Sequence, residues 1–206
     1  MDKANKVSRK DQILQALARM LEAAPGQRIT TAALAREVGV SEAALYRHFP
    51  SKARMFEALI TFAEETIFER ITLILSTTHN SDARSQQITT LILTFCERNP
   101  GITRLLAGDP LAGEAPRLRQ RASQFFDRIE TQLRQVFREA DLAPNAASRL
   151  SPSSTAHLLC SLIEGRVLQF VRSDFKILPT HRLSEHLTVI RQVLSEPPTN
   201  IDQAAP

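Results

Sequence analysis

The chain has 206 residues, 43% apolar and 23% charged, a balance that excludes collagenous, disulfide-rich and largely disordered proteins. No apolar run approaches the roughly 20 residues of a membrane helix, and residues 1–6 hold no apolar segment of a secretory signal. The formal net charge of +4 is uneven: residues 1–55 carry ten Lys/Arg against five acids, and residues 56–206 carry sixteen against seventeen.

A basic module on a near-neutral body fits either an anionic partner or a solvated basic surface with none. The two cysteines, Cys96 and Cys160, read as buried reduced thiols of a cytoplasmic protein. Helical periodicity then runs along the chain. Ile13, Leu14, Leu17, Ala18 and Leu21 place an amphipathic helix at 10–24, ended by Pro25-Gly26. Thr30 and Thr31 occupy the N-cap region of a short helix that Gly39 closes. Ser41 caps a second short helix, 42–48, stopped by Phe49-Pro50. Ser51 caps a long helix, 52–75, with Met55, Phe56, Leu59, Ile60, Ala63, Ile67 and Ile71 on one face.

After the polar break at 76–81 comes a helix at 82–98, then the turn signal Asn99-Pro100-Gly101. A short helix at 102–107 stops at Gly108-Asp109-Pro110. A long helix follows at 117–140, with Leu118, Phe125, Ile129, Leu133 and Val136 inward. Residues 143–154 read as a loop, within which Ser151-Pro152 sets a capping residue before a proline suited to a first helical position. The helix at 155–172 is apolar on several faces, so more than one of them must be buried. That helix and a last one at 181–195 are the expected dimer interface, with Glu164 and Arg166 near it. The fold class is all-α with about nine helices. The expected domains are 1–55, 56–196 and a flexible tail at 197–206.

Residues 29–52 carry the most specific pattern. Two short helices meet at Gly39-Val40-Ser41, where glycine permits a left-handed turn and valine plugs the angle. This is a helix-turn-helix, whose second helix enters the major groove of DNA. Leu45 and Phe49 face the core. Ser41, Glu42, Ala43, Ala44, Tyr46, Arg47 and His48 are left for DNA, the alanines for close approach to base edges. Tyr46, Arg47, His48 and Lys52 suit phosphates, and Lys52 also lies at a helix N-terminus. Thr30 and Thr31 can donate hydroxyls to phosphates. Arg9 and Lys10, with Lys3 and Lys6 before them, are expected on a mobile arm along the minor groove.

No enzyme is expected. The chain has no P-loop, no Gly-x-Gly-x-x-Gly and no His-Glu-x-x-His. His157 and Cys160 share a helix with the spacing of a nucleophile pair, but core packing accounts for them more simply. His181 and His186 lie five apart and do not share a helix face, so no metal site and no cofactor are expected.

The series Thr30, Leu34-Ala35, Gly39-Val40-Ser41, Leu45-Tyr46, His48-Phe49 and Lys52 resembles that of TetR-type regulators. The resemblance implies a three-helix DNA-binding head on a helical dimerisation and ligand domain, acting as a homodimer on palindromic double-stranded DNA. A narrower resemblance, to the nucleoid occlusion factors of that family, rests on the whole 40–52 stretch and on later segments. These are Arg54-Met55-Phe56, Glu97-Arg98-Asn99-Pro100-Gly101, the 128–136 stretch, and Phe170-Val171-Arg172-Ser173-Asp174-Phe175-Lys176. It implies a cytoplasmic, nucleoid-associated protein that engages the division protein FtsZ while on DNA. The family's groove for the FtsZ C-terminal tail falls at about 62–70 and 91–99, and maps onto Phe62, Arg70, Leu91, Thr94, Arg98 and Asn99. The pattern alone would make Phe62 and Leu91 core residues and the arginines surface charges. The alternative is a ligand-responsive TetR-type repressor, with Phe95, Phe125 and Phe126 lining its pocket.

Overall fold

The computed structural model describes residues 8–23, 28–111, 116–141 and 150–195. The helices are α1 (Arg9–Ala23), α2 (Thr31–Val38), α3 (Glu42–His48), α4 (Lys52–Thr77), α5 (Ser81–Arg98), α6 (Pro100–Leu106), α7 (Pro116–Asp141), α8 (Pro152–Arg172) and α9 (Leu183–Ser195), with one 3-10 turn at Asp109–Leu111. No strand occurs among the described residues.

The caps explain the boundaries. The side-chain oxygens of Thr30, Ser41, Ser51, Asn80 and Ser151 each accept a backbone N–H of the first turn of the helix that follows. Several boundaries depart from the sequence expectation. α8 begins at Pro152, not at 155, because Ser151 caps it and proline fits the first helical position. Pro100-Gly101 is the first turn of α6 rather than a loop, because proline fits the first helical position even without a side-chain cap. Gly108-Asp109-Pro110 runs into the 3-10 turn. Arg9 and Lys10 are not on an arm but open α1, where Ser8 and Asp11 exchange hydrogen bonds like a capping box. Lys3, Lys6 and the 197–206 tail lie outside the described residues.

One apolar core runs from Ile13 and Leu17 of α1, through Phe56, Ile60 and Ile67 of α4, to Ile129, Ile163 and Leu187. α7 lies along α8, and α6 crosses α1. At that crossing a Cβ on Gly101 would lie 2.0 Å from the Ala18 carbonyl oxygen, so only glycine fits. Arg104 of α6 is buried. It donates to the Leu21 carbonyl of α1 at 2.8 Å and to Asp109 at 2.5 Å. The three N-terminal helices are thereby fastened to the body.

Candidate functional site

The helix-turn-helix geometry follows from local chemistry. Gly39 ends α2 with φ +72°, in the left-handed region. Its N–H donates to Arg36 at 3.2 Å and that of Val40 to Ala35 at 2.9 Å, which is a Schellman closure. Val40 and Val38 pack on the core, and Leu45 and Phe49 are buried, fixing the rotation of α3. That rotation leaves Ser41, Glu42, Ala43, Tyr46 and Arg47 exposed, with Ala44 and His48 half-buried.

Three of the expected DNA-facing residues hold one another. Thr31 donates to the Glu42 carboxylate at 2.7 Å, and the Tyr46 hydroxyl donates to Thr31 at 3.4 Å. Glu42 is thus drawn back onto α2. Lys52 donates to the Ile29 carbonyl at 3.0 Å and lies 5.6 Å from the Phe56 ring centroid, joining the start of α4 to the entry of α2. An ammonium has three donors, so a phosphate contact is compatible with that bond. Thr30 spends its acceptor on the Ala33 N–H and keeps a hydroxyl proton to donate. Arg9 is exposed in the first turn of α1. Sequence reasoning missed the Thr31–Glu42–Tyr46 network, because its partners come from different helices.

A groove lies between α4 and α5. Phe62, Thr66 and Arg70 of α4 and Leu91, Thr94, Phe95 and Arg98 of α5, with Asn99, line a cavity of about 320 Å³. All six residues expected there are brought together. Phe62 is 47% exposed, too open for a core residue, and its ring centroid lies 6.5 Å from that of the buried Phe95. Leu91 is half-buried beside them, while Arg70 and Arg98 are exposed. Asn99 donates its amide to the Phe95 carbonyl at 2.8 Å, which ends α5 and starts α6 at the groove's edge. Thr66 and Phe95 were missed. Each lies four residues beyond an expected member, Phe62 or Leu91, on the same helical face.

The phenylalanines considered for a ligand pocket separate. Phe95 belongs to the groove. Phe125 is fully buried, packed edge-on against Phe68 and Phe126 at centroid distances of 6.2 and 5.2 Å. Phe126 lines a different recess, of about 370 Å³, with Leu168 and Glu164.

His157 and Cys160 do not form a pair. The His157 ring reaches Glu130 of α7 at 3.2 Å, and together with Arg134 it holds that carboxyl below its ordinary value. The Cys160 thiol is buried and lies 3.5 Å from Glu164, and burial followed by that carboxylate pushes it up to about 12. Burial likewise pushes Cys96 up to about 12. Both thiols are therefore poor nucleophiles. Arg166, expected near a dimer interface, turns inward instead. It is buried and donates to the carbonyls of Pro179 and His181 at 2.7 and 3.0 Å and meets His186 Nδ1 at 2.5 Å, clamping the loop before α9. Its burial draws the guanidinium below its ordinary value.

Comparison with known proteins agrees with this architecture. The family profile described as "Bacterial regulatory proteins, tetR family" matches residues 13–59, and "Tetracyclin repressor-like, C-terminal domain" of the SlmA-like type matches residues 79–195. The nucleoid occlusion factors SlmA of Shewanella halifaxensis and of a Marinomonas species are each 56% identical over 189 residues, 92% of this chain and 96% of theirs. Among solved structures, the MbdR regulator of an Azoarcus species has a TM-score of 0.73 at 16% identity, covering 93% of this chain and 100% of its own. The latter likeness concerns the fold. The profiles are those of regulatory and repressor-like proteins and the relatives are nucleoid occlusion factors, which makes the chain a regulator rather than an enzyme. The chain belongs to the tetR family of bacterial regulators, in its SlmA nucleoid occlusion branch.

Proposed function

We propose that this protein is a nucleoid occlusion factor: a homodimer that binds palindromic double-stranded DNA and, while bound, holds the FtsZ C-terminal tail and antagonises Z-ring assembly over the nucleoid. In this reading α3 enters the major groove. Ala43 and Ala44 meet base edges, while Tyr46, Arg47, His48, Lys52, Thr30, Thr31 and Arg9 hold phosphates. Glu42 braces Thr31. The protein works in the cytoplasm on the nucleoid. Among the described residues, no helix is long and apolar enough to cross a membrane.

The observation that carries the FtsZ reading is the α4–α5 groove. An open aromatic ring beside an apolar floor, rimmed by two arginines, fits a short amphipathic peptide with carboxylates. The homodimer reading rests on the outer faces of α8 and α9. Leu158 and Leu168 are 42% and 47% exposed there, Val189 and Val193 57% and 47%, and a Cβ on Gly165 would meet nothing within 4 Å. In this reading a second copy covers these exposed apolar side chains in a symmetric pair.

Charge reversal tests the groove. Arg70→Glu and Arg98→Glu should each weaken co-sedimentation with FtsZ polymers while duplex affinity stays unchanged. Equal loss of FtsZ and DNA binding would sink the assignment, since it would report general damage.

A further inference from the structure

A second concave site lies where the DNA-binding head meets the body. Lys10 of α1, His48 of α3, Arg54 and Glu57 of α4, and Arg117 and Arg121 of α7 line a cleft of about 680 Å³. Its volume is within the range of small-molecule sites. It involves none of the α4–α5 groove residues, so the inference does not depend on the FtsZ reading.

Along this seam two carboxylates serve four guanidiniums. Glu57 takes Arg54 at 2.8 Å and Arg117 at 2.9 Å. Glu64, which is buried, takes Arg121 and, at 3.2 Å, Arg128. Two positive charges remain uncompensated among these six groups, and Lys10 adds a third at the cleft's edge. Arg121 also carries a buried Nε donor with no hydrogen-bond partner. Buried donors rarely stay unpaired, so the Arg121 guanidinium keeps capacity for a further acceptor. The Glu57 carboxylate, bridging Arg54 of its own helix and Arg117 of α7, marks a position an anionic group occupies well. Guanidiniums favour phosphate, which they bind with paired N–H donors.

We propose that this cleft binds a phosphate-bearing small molecule of nucleotide size, held by Arg54 of α4 and by Arg117 and Arg121 of α7. The ligand displaces Glu57 from its two arginines.

The test is calorimetric titration of the DNA-free full-length protein with inorganic pyrophosphate and with ATP, at constant ionic strength. Saturable binding of one molecule per chain is expected for at least one probe. Arg117→Gln/Arg121→Gln should weaken it at least tenfold. Glu57→Gln should tighten it several-fold by removing the internal competitor, a gain that a damaged fold would not produce. Arg138→Gln, on α7 about 25 Å along the helix from Arg121, should bind like the parent. Absence of saturable binding by either probe would overturn the proposal. So would binding that survives in the double variant but is lost in Arg47→Gln, which assigns the anion to the DNA-facing surface. A duplex-binding salt slope about two units shallower in the double variant would also overturn it, by making the phosphates those of DNA.

Discussion

Replacing Gly101 by alanine sets two effects of opposite sign against each other. In an isolated helix the change favours α6 by about 1 kcal/mol. In the folded protein the new Cβ lies 2.0 Å from the Ala18 carbonyl oxygen and 3.2 Å from the Glu22 nitrogen. Both are backbone atoms, so no rotamer relieves the contact. A carbon normally stays about 3.3 Å from a carbonyl oxygen. α1 and α6 must therefore separate by roughly 1.3 Å, with an overpacking cost of about 1–3 kcal/mol. Separation also stretches the 2.8 Å bond from buried Arg104 to the Leu21 carbonyl. Losing that bond costs a further ~1–3 kcal/mol, because it leaves a buried donor unmet. The net expectation is destabilisation by about 1–5 kcal/mol, since packing and the lost bond outweigh propensity. Urea unfolding measures it as a lower midpoint at unchanged slope. A variant as stable as the parent, or more so, would refute the tight crossing of head and body.

Tyr46→Ala should weaken duplex binding about tenfold, the value of one hydrogen bond to a charged group. Thr31→Ala should also weaken it, by losing a hydroxyl and releasing Glu42 toward the phosphates; fluorescence anisotropy with a short operator duplex reads both. Lys52→Ala should reduce the slope of log affinity against log salt by about one unit. An unchanged slope would leave Lys52 a structural tie to Ile29 alone. Both thiols are pushed up to about 12, so the thiolate fraction stays negligible at pH 8. A thiol reagent at that pH should leave the folded dimer unmodified and label both cysteines after denaturation. Rapid labelling of the native protein would contradict the burial of Cys96 and Cys160.

The parts legible in sequence were those decided within a turn or two of chain. Gly39-Val40-Ser41 reads as a helix-turn-helix because glycine enters the left-handed backbone without strain and serine supplies the cap. Pro100-Gly101 misleads as a turn: proline also opens helices, and the glycine is there for α1, more than seventy residues earlier in the chain. Phe62 and Phe125 look alike on their helical stripes. Only tertiary packing leaves the first 47% exposed and buries the second completely. Arg166 looks like an interface residue by spacing, yet its partners at Pro179, His181 and His186 come from the folded-back loop and α9. The groove's location came from family resemblance, and its openness came from the packing of α4 on α5.

The most direct measurement is fluorescence anisotropy of a labelled FtsZ C-terminal tail peptide titrated with the full-length protein, with and without a saturating operator duplex. The account predicts saturable binding that is retained or strengthened on the duplex and lost in Arg98→Glu. No binding in either condition, or binding indifferent to Arg98→Glu, would contradict it.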